Sequence, residues 1–532
     1  MRNTKPEPHA MAATLALFAL ACSSKQQPIT DDFGAIEQPD KVALTPLSKA
    51  NVPQPTSSDI VDTAAAVRLG KALFWDVQSG GDGTVGCATC HYSAGADTRL
   101  VNTLNPGPDG VFASGGVTGP GQTFRPASIV NDDRLGSQGV PHAIFRGISA
   151  DPSAAADVCD PDPVTPFYTN RSVTGRNAPS VVMTVFNRDN FWDGRANHQF
   201  NGANPFGSTP NGSGPVLLEN ASLASQSVGP PNNGVEMSCE GRTFNGTNSL
   251  ASKMLARAPL QFQWVSPSDS ALGSLSAWPS TGLSCGAGPC TYTALIAAAF
   301  GQALANDAVN QFSRIWGQAI QAYESTLIPD RTPLDRFLAG DSNALTANQK
   351  RGFDRFTGKG GCINCHAGPE LSDATVAFAV ARGLVNDDGG DQGFHNIGVR
   401  PTEEDIGRAG SGPLVPFSQS GAASDRGAFK TPSLRNVKLT APYFHNGGKA
   451  SLSDVVAFYA RGGDFANPEK AARLRTISLD AGDQTALVDF LTNALTDCRT
   501  EKQRAPFDHP SLVVPNGPTL PAVGANGVGS CP

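Results

Sequence analysis

Apolar residues recur at helical spacing in a few separated stretches, and long polar, turn-rich segments lie between them. Asp62-Thr-Ala-Ala-Ala-Val-Arg-Leu-Gly-Lys-Ala-Leu-Phe-Trp75 has apolar side chains three and four positions apart and stops before a Gly-rich turn, which predicts a helix. The same spacing predicts helices over Thr291 to Ala305, Asn310 to Leu327, Leu345 to Phe356, Leu452 to Tyr459 and Leu479 to Leu495. Residues 92–175 and 199–290 are rich in Gly, Pro, Asp and Asn-Gly turn signals and read as loop. Residues 23–57 are polar and Pro-rich, a linker. The Pro- and Gly-rich tail, 501–532, is predicted to wrap the surface.

Composition adds a compartment. The chain has 532 residues, enough for two to four domains, and 57 Gly with 41 Pro, so much of it must be loop. A net charge of −7 with no basic stripe argues against nucleic acid as a partner. Arg2 and Lys5 precede a short apolar run, Met11 to Ala21, too short to span a bilayer and fitting an export signal over residues 1–22. Small residues before Cys22 look like a bacterial lipoprotein cleavage site, with Cys22 lipidated and a membrane anchor implied; an ordinary signal peptide is the alternative. No other segment looks transmembrane. Cys159, Cys239, Cys285, Cys290, Cys498 and Cys531 suit disulfides of an exported, periplasmic or cell-envelope protein. Six cysteines allow about 15 pairings, of which Cys285 with Cys290 and Cys498 with Cys531 are the simplest members.

Two pentapeptides carry the chemistry: Cys87-Ala-Thr-Cys90-His91 and Cys362-Ile-Asn-Cys365-His366. Each is a C-x-x-C-H, the attachment signature of haem c, in which two thiols bind the vinyl groups and the histidine ligates iron. Zinc or thioredoxin-like chemistry is the alternative, but zinc needs a further ligand pair nearby and neither pentapeptide has one. A helix and a Gly-rich turn precede each motif, a weak internal repeat. The expected fold is therefore mainly α, with two cytochrome c-like haem domains, long loops and little β-structure. Its expected boundaries are 58–328 for the N-terminal haem domain and 329–500 for the C-terminal one.

Further blocks extend the pattern. Arg68-Leu-Gly-Lys-Ala-Leu-Phe-Trp75, Asn177-Ala-Pro-Ser180, Phe191-Trp-Asp-Gly-Arg-Ala196, Gly361 to Pro369, Phe394-His-Asn-Ile-Gly398, Phe429 to Asn436 and Leu439 to Gly447 occur in order. Over roughly residues 60 to 500 the chain resembles the bacterial di-haem cytochrome c peroxidases, including their MauG branch; the loops at 92–175 and 199–290 match only in patches.

The resemblance implies that the haem on His91 is the peroxide-reactive one and that the haem on His366 admits electrons. It places Tyr459 where peroxidases carry a methionine as the second iron's sixth ligand, as MauG does; a phenolate favours high-valent iron and a thioether does not. A tyrosine packed in a core, its hydroxyl bonded to a polar group, is the competing reading. Gln226 and Glu236, ten residues apart, match the distal pair of the first haem. Glu236 is then the acid/base that moves a proton between the two peroxide oxygens, and Gln226 orients peroxide or water. Met237 belongs to the same motif and His445 to another, so neither is assigned as the second ligand. No histidine lies between His91 and His142, and His142 falls in an insertion, so a histidine gate on the first iron is not expected. Trp192 matches the tryptophan that relays electrons between the haems. Asn177, Thr440 and Pro442 match the family's single calcium site.

The leading expectation is an exported di-haem peroxidase that reduces hydrogen peroxide with electrons from a small cytochrome c or a cupredoxin. The alternatives are a MauG-like or rubber-oxygenase-like di-haem oxidase of a protein or polymer, and a plain electron-transfer cytochrome, against which Glu236 and Gln226 argue.

Overall fold

Asp62 begins the first helix by accepting a hydrogen bond from the Ala65 amide, and the apolar stripe that follows is buried. This computed structural model describes residues 42–531, except 57, 126, 209–213, 287 and 413–414. The signal segment, Cys22 and the first part of the linker lie outside the described residues. Among the described residues no helix is long and apolar enough to cross a membrane.

The helices of the N-terminal part are α1 (Thr63–Trp75), α2 (Cys87–Cys90), α3 (Ser222–Ser227), α4 (Leu250–Leu255), α5 (Tyr292–Phe300), α6 (Gln302–Asn306) and α7 (Ala308–Glu324). Those that follow are α8 (Pro333–Leu338), α9 (Ala347–Thr357), α10 (Val376–Arg382), α11 (Leu452–Ala460), α12 (Ala481–Asp489) and α13 (Cys498–Glu501). Strands are few and short, in five two-stranded antiparallel pairs among the described residues, so the protein is mostly helical with little sheet. The expected helix at 291–305 is broken at Gly301, whose φ of +83° ends α5 and opens α6. The expected helix at 479–495 runs as α12 and then loosens into a π-helical turn, Phe490–Ala494.

One packing device occurs twice. α1 crosses α7 at Gly70, where a β-carbon would lie 1.9 Å from the Ala319 carbonyl oxygen. α9 crosses α12 at Gly352, where a β-carbon would lie 2.1 Å from the Ala486 carbonyl oxygen. In each case only glycine permits the backbone approach, and a C-x-x-C-H motif follows the glycine-bearing helix. Around the first crossing, Leu69, Leu73, Phe312, Ile315, Trp316 and Ile320 sit in one hydrophobic core. Around the second, Leu334, Phe356, Leu371, Leu487 and Phe490 sit in another.

The tail departs from the expected surface wrapping. Asp508 joins Asp269 on the buried Lys71 ammonium, at 3.3 Å and 2.8 Å. His509 stacks on Trp75 with ring centres 4.8 Å apart, and Leu512 and Val514 enter the N-terminal core. Proline and glycine marked these residues as loop; they did not reveal that a buried lysine elsewhere needs a carboxylate. The six remaining cysteines pair as Cys159–Cys239, Cys285–Cys290 and Cys498–Cys531.

Candidate functional site

The first pentapeptide forms α2 itself. Thr89 Oγ1 accepts from the Gly86 amide at its start, and His91 caps its end. His91 Nδ1 lies 2.8 Å from the Gly95 carbonyl oxygen, which fixes that nitrogen as the donor and leaves Nε2 free for a metal. Cys87 and Cys90 are unpaired, and burial pushes the Cys90 thiol up to about 11 and Cys87 higher still. Cys87, Cys90 and His91 open on one cavity of about 500 Å³, walled by Phe74, Leu223 and Ile320. Two thiols at the edge, a free imidazole nitrogen and apolar walls fit a covalently held porphyrin.

Glu236, Gln226 and Trp192 line that same cavity. Glu236 is set by a turn in which its amide donates to the Asn233 side chain at 3.1 Å. Desolvation raises its carboxyl above the ordinary range, opposed by the positive charge of Arg195. Arg195 is held by Asp193 at 2.9 Å and lies over the Phe191 ring at 3.9 Å. The Trp192 indole donates to the Asn177 carbonyl at 2.8 Å, and its own carbonyl accepts from the Lys430 amide at 2.8 Å. Trp192 thus joins the cavity wall to a strand from the C-terminal part, and its ring stands 6.4 Å from His445. Met237 also lines the cavity; His142 does not, its Nδ1 lying 2.9 Å from the Asp162 carbonyl.

The second pentapeptide repeats the local chemistry. His366 Nδ1 lies 3.1 Å from the Leu371 carbonyl oxygen, and the Pro432 backbone is a second partner of the ring. Cys362 and Cys365 are unpaired, and burial pushes the Cys362 thiol up to about 12. Tyr459, on α11, is close enough to both thiols for their charge to raise its phenol further, after burial itself. Tyr459 is thereby brought to the second motif from 93 residues downstream of His366.

Asn177 and Pro442 meet, the side-chain amide donating to the Pro442 carbonyl at 2.7 Å. The Thr440 hydroxyl donates to the Val437 carbonyl, while the expected ligand atom of Thr440 is its backbone carbonyl. As placed, an N–H satisfies the Pro442 oxygen, and a cation there requires the Asn177 amide turned end for end.

Sequence reasoning assigned no role to three residues that the fold places at these sites. His395 Nε2 lies 2.8 Å from Asp373 Oδ2, and donor atoms of both fall within 4.8 Å of Cys365 Sγ. His395 stood in a recognisable block, Phe394 to Gly398, but nothing in the sequence paired it with Asp373. Glu324 lines the first cavity and is 2% exposed. Its signal was available: it continues the buried stripe Phe312, Trp316, Ile320 at a spacing of four.

A sequence model of the family described as di-haem cytochrome c peroxidase matches residues 64–263. The chain is similar to cytochrome-c peroxidase IdrP2 of Denitromonas iodatirespirans, 36% identical over 198 residues, or 34% of this chain and 47% of that protein. It is similar to the methylamine utilization protein MauG of Methylorubrum extorquens, 33% identical over 173 residues, or 32% of this chain and 42% of that protein. Cytochrome c551 peroxidase of Nitrosomonas europaea matches more of the length, 25% identical over 374 residues, or 68% of this chain and 84% of that protein. The chain spans about half the length of the first two relatives.

Proposed function

Because the chain belongs to the di-haem cytochrome c peroxidase and MauG family, we propose that it is an exported di-haem peroxidase that converts hydrogen peroxide, two electrons and two protons into two waters. The observation that carries this reading is a single cavity bearing two unpaired thiols, a histidine with one nitrogen engaged and the other free, and an unpaired, partly buried carboxyl. The haem, when bound, supplies the iron that takes peroxide and the redox equivalents that reduce it.

The chain's own residues do the rest. The Gly95 carbonyl holds the His91 ring in one tautomer and makes its free nitrogen a better donor. Gln226 orients peroxide with its amide. Glu236 takes the proton from the near peroxide oxygen and returns it to the far one, so that water leaves instead of hydroxide. Burial raises the Glu236 carboxyl above the ordinary carboxylate range, which makes it the better proton acceptor. Phe74, Leu223 and Ile320 exclude bulk water from that transfer. Electrons enter at the module of Cys362, Cys365 and His366, from a small cytochrome c or a cupredoxin, and cross by way of Trp192, which spans the two parts. Periplasmic or envelope residence is supported by three disulfides and two haem-attachment motifs, both made outside the bacterial cytoplasm.

The second reading, a MauG-like oxidase of a protein or polymer residue, is favoured by one observation, Tyr459 beside the second pair of thiols. A calcium ion bound by Asn177, Thr440 and Pro442 is the remaining part of the proposal; chelator-induced change in the haem spectra tests it.

Expression in a host that matures c-type cytochromes gives the main test. Two haems per chain, and peroxide-dependent oxidation of a reduced small cytochrome, are expected. Glu236→Gln should lower turnover by about 10²- to 10⁴-fold at unchanged haem content. A colourless protein, or a Glu236→Gln variant of undiminished turnover, would refute the assignment. Turnover on a protein or polymer without a reduced cytochrome would favour the second reading.

A further inference from the structure

Glu324 is a second acid in the first cavity, and the peroxide reaction as drawn above does not use it. It is the last residue of α7, is 2% exposed, and its Oε2 has no hydrogen-bond partner among the described residues. The carboxyl lines the cavity on the side of Cys87, whose thiol it pushes up after burial. Two independent effects disfavour a negative charge there. Burial alone pushes its carboxyl up to about 8. The C-terminal end of a helix carries partial negative charge, which opposes a carboxylate in the last turn.

The neighbouring charges are already committed. Lys71 of α1 is held by Asp269 and Asp508. Arg134, Arg176 and Arg195 on the cavity wall are held by Asp405 and Asp193. Gln226 of α3 is uncharged, and Tyr323, next to Glu324, has its hydroxyl bonded to Trp75. With haem bound, Cys87 of α2 would be spent in the thioether and His91 in the iron bond. Glu236 is the other unpaired acid. A change of charge on the group that fills the cavity is therefore felt most by Glu324 and Glu236.

We infer that Glu324 is a redox-linked acid of the first haem site, holding a proton while the iron is ferrous and releasing it when the iron becomes ferric. The step balances: the iron loses one electron, in the titration below to the ferricyanide-type mediator of the electrode, Glu324 loses one proton to solvent, and the carboxylate left behind offsets the added positive charge. By linkage, the proton and the electron must then affect each other equally. The inference rests on the first pentapeptide carrying haem c, as proposed above.

The test uses the haem-loaded protein. Spectroelectrochemical titration between pH 5 and 9 follows each haem, and an infrared difference spectrum records oxidation. The oxidation equilibrium of the first haem is expected to shift by close to tenfold per pH unit, the limit for one coupled proton, in the pH interval between the values its carboxyl takes in the ferric and ferrous states. Oxidation is expected to bleach a protonated carboxyl band. In Glu324→Gln the shift should fall below threefold per pH unit and the band should vanish. Glu236→Gln, which removes the other acid facing the cavity, should leave the band and a shift above threefold per pH unit, and the second haem should be unaffected in every variant. The inference fails if Glu324→Gln keeps the shift, if Glu236→Gln removes it, or if the unmutated protein bleaches no carboxyl band. That last measurement decides the matter even where Glu324→Gln loads haem poorly. A haem count showing no haem on Cys87 and Cys90 would instead overturn the functional reading, and this inference with it.

Discussion

Replacing Gly70 by alanine tests the packing device that builds the first cavity. The added β-carbon would stand 1.9 Å from the Ala319 carbonyl oxygen and 2.9 Å from the Tyr323 β-carbon. Contacts below about 3 Å are not tolerated, and the nearest obstacle is helix backbone, which cannot rotate away as a side chain would. α1 and α7 must therefore part by about an ångström, loosening Leu69, Leu73 and Trp316 between them. Overpacking of this kind costs roughly 1–3 kcal/mol, and a backbone obstacle places it at the upper end. Alanine returns about 1 kcal/mol of helix propensity. The net loss is about 2 kcal/mol, or roughly 4–8 °C in Tm for a unit of this size. Gly482→Ala is the matched control. There the added carbon meets only the Arg351 guanidinium, the nearest atom at 2.9 Å, which can swing aside; its effect should stay within about 0.5 kcal/mol. Urea denaturation followed by far-ultraviolet circular dichroism measures both. Phe74, Ile320 and Glu324 ride on the same two helices, so the Soret band should broaden in Gly70→Ala and not in the control. A Gly70→Ala protein as stable as the parent would refute the claim that backbone contact at Gly70 sets the helix crossing.

Other outcomes follow from the same contacts. Tyr459→Phe should alter the spectrum of the second haem alone; an unchanged spectrum would mean that the phenol ligates nothing. Asp508→Ala should destabilise the protein by roughly 3 kcal/mol, because Lys71 keeps only Asp269 in a buried site. An Asp508→Ala protein that melts with the parent would show that the tail does not clamp the N-terminal core. Asp405 is held well below the ordinary carboxylate range: Arg176 beside it outweighs the burial that alone would raise it. A depressed carboxyl contributes stability above its unfolded value, near about 4, and loses it as the pH falls through its folded value. Asp405→Asn should therefore melt below the parent at pH 7, and the gap should close as the pH drops below about 4. A gap constant with pH would show that the Arg176 pair does not titrate.

The candidate haem-attachment residues were legible because covalent attachment demands a local pattern, two thiols and a histidine within five positions, that no tertiary contact can supply. Helices α1, α7, α9 and α11 were legible because their buried faces repeat every three or four residues. Two helix ends were not. Gly301 breaks α5 from α6, and the turn after Asp489 loosens into π-helix, in runs whose apolar spacing alone reads as continuous.

What the chain determined by itself is thus the chemistry of its two sites: thiols, imidazoles and their spacing are properties of neighbours in sequence. What only the tertiary structure decided is which distant groups share a cavity. Glu324 reaches Cys87 because Gly70 lets α7 lie against α1. His395 reaches Asp373 and Cys365 across a loop, and Asp508 reaches Lys71 across 437 positions. A buried charge is stable only where a partner, a proton or a cofactor meets it. Which of these it meets depends on how the helices cross, and that depends on close backbone contacts between residues hundreds of positions apart.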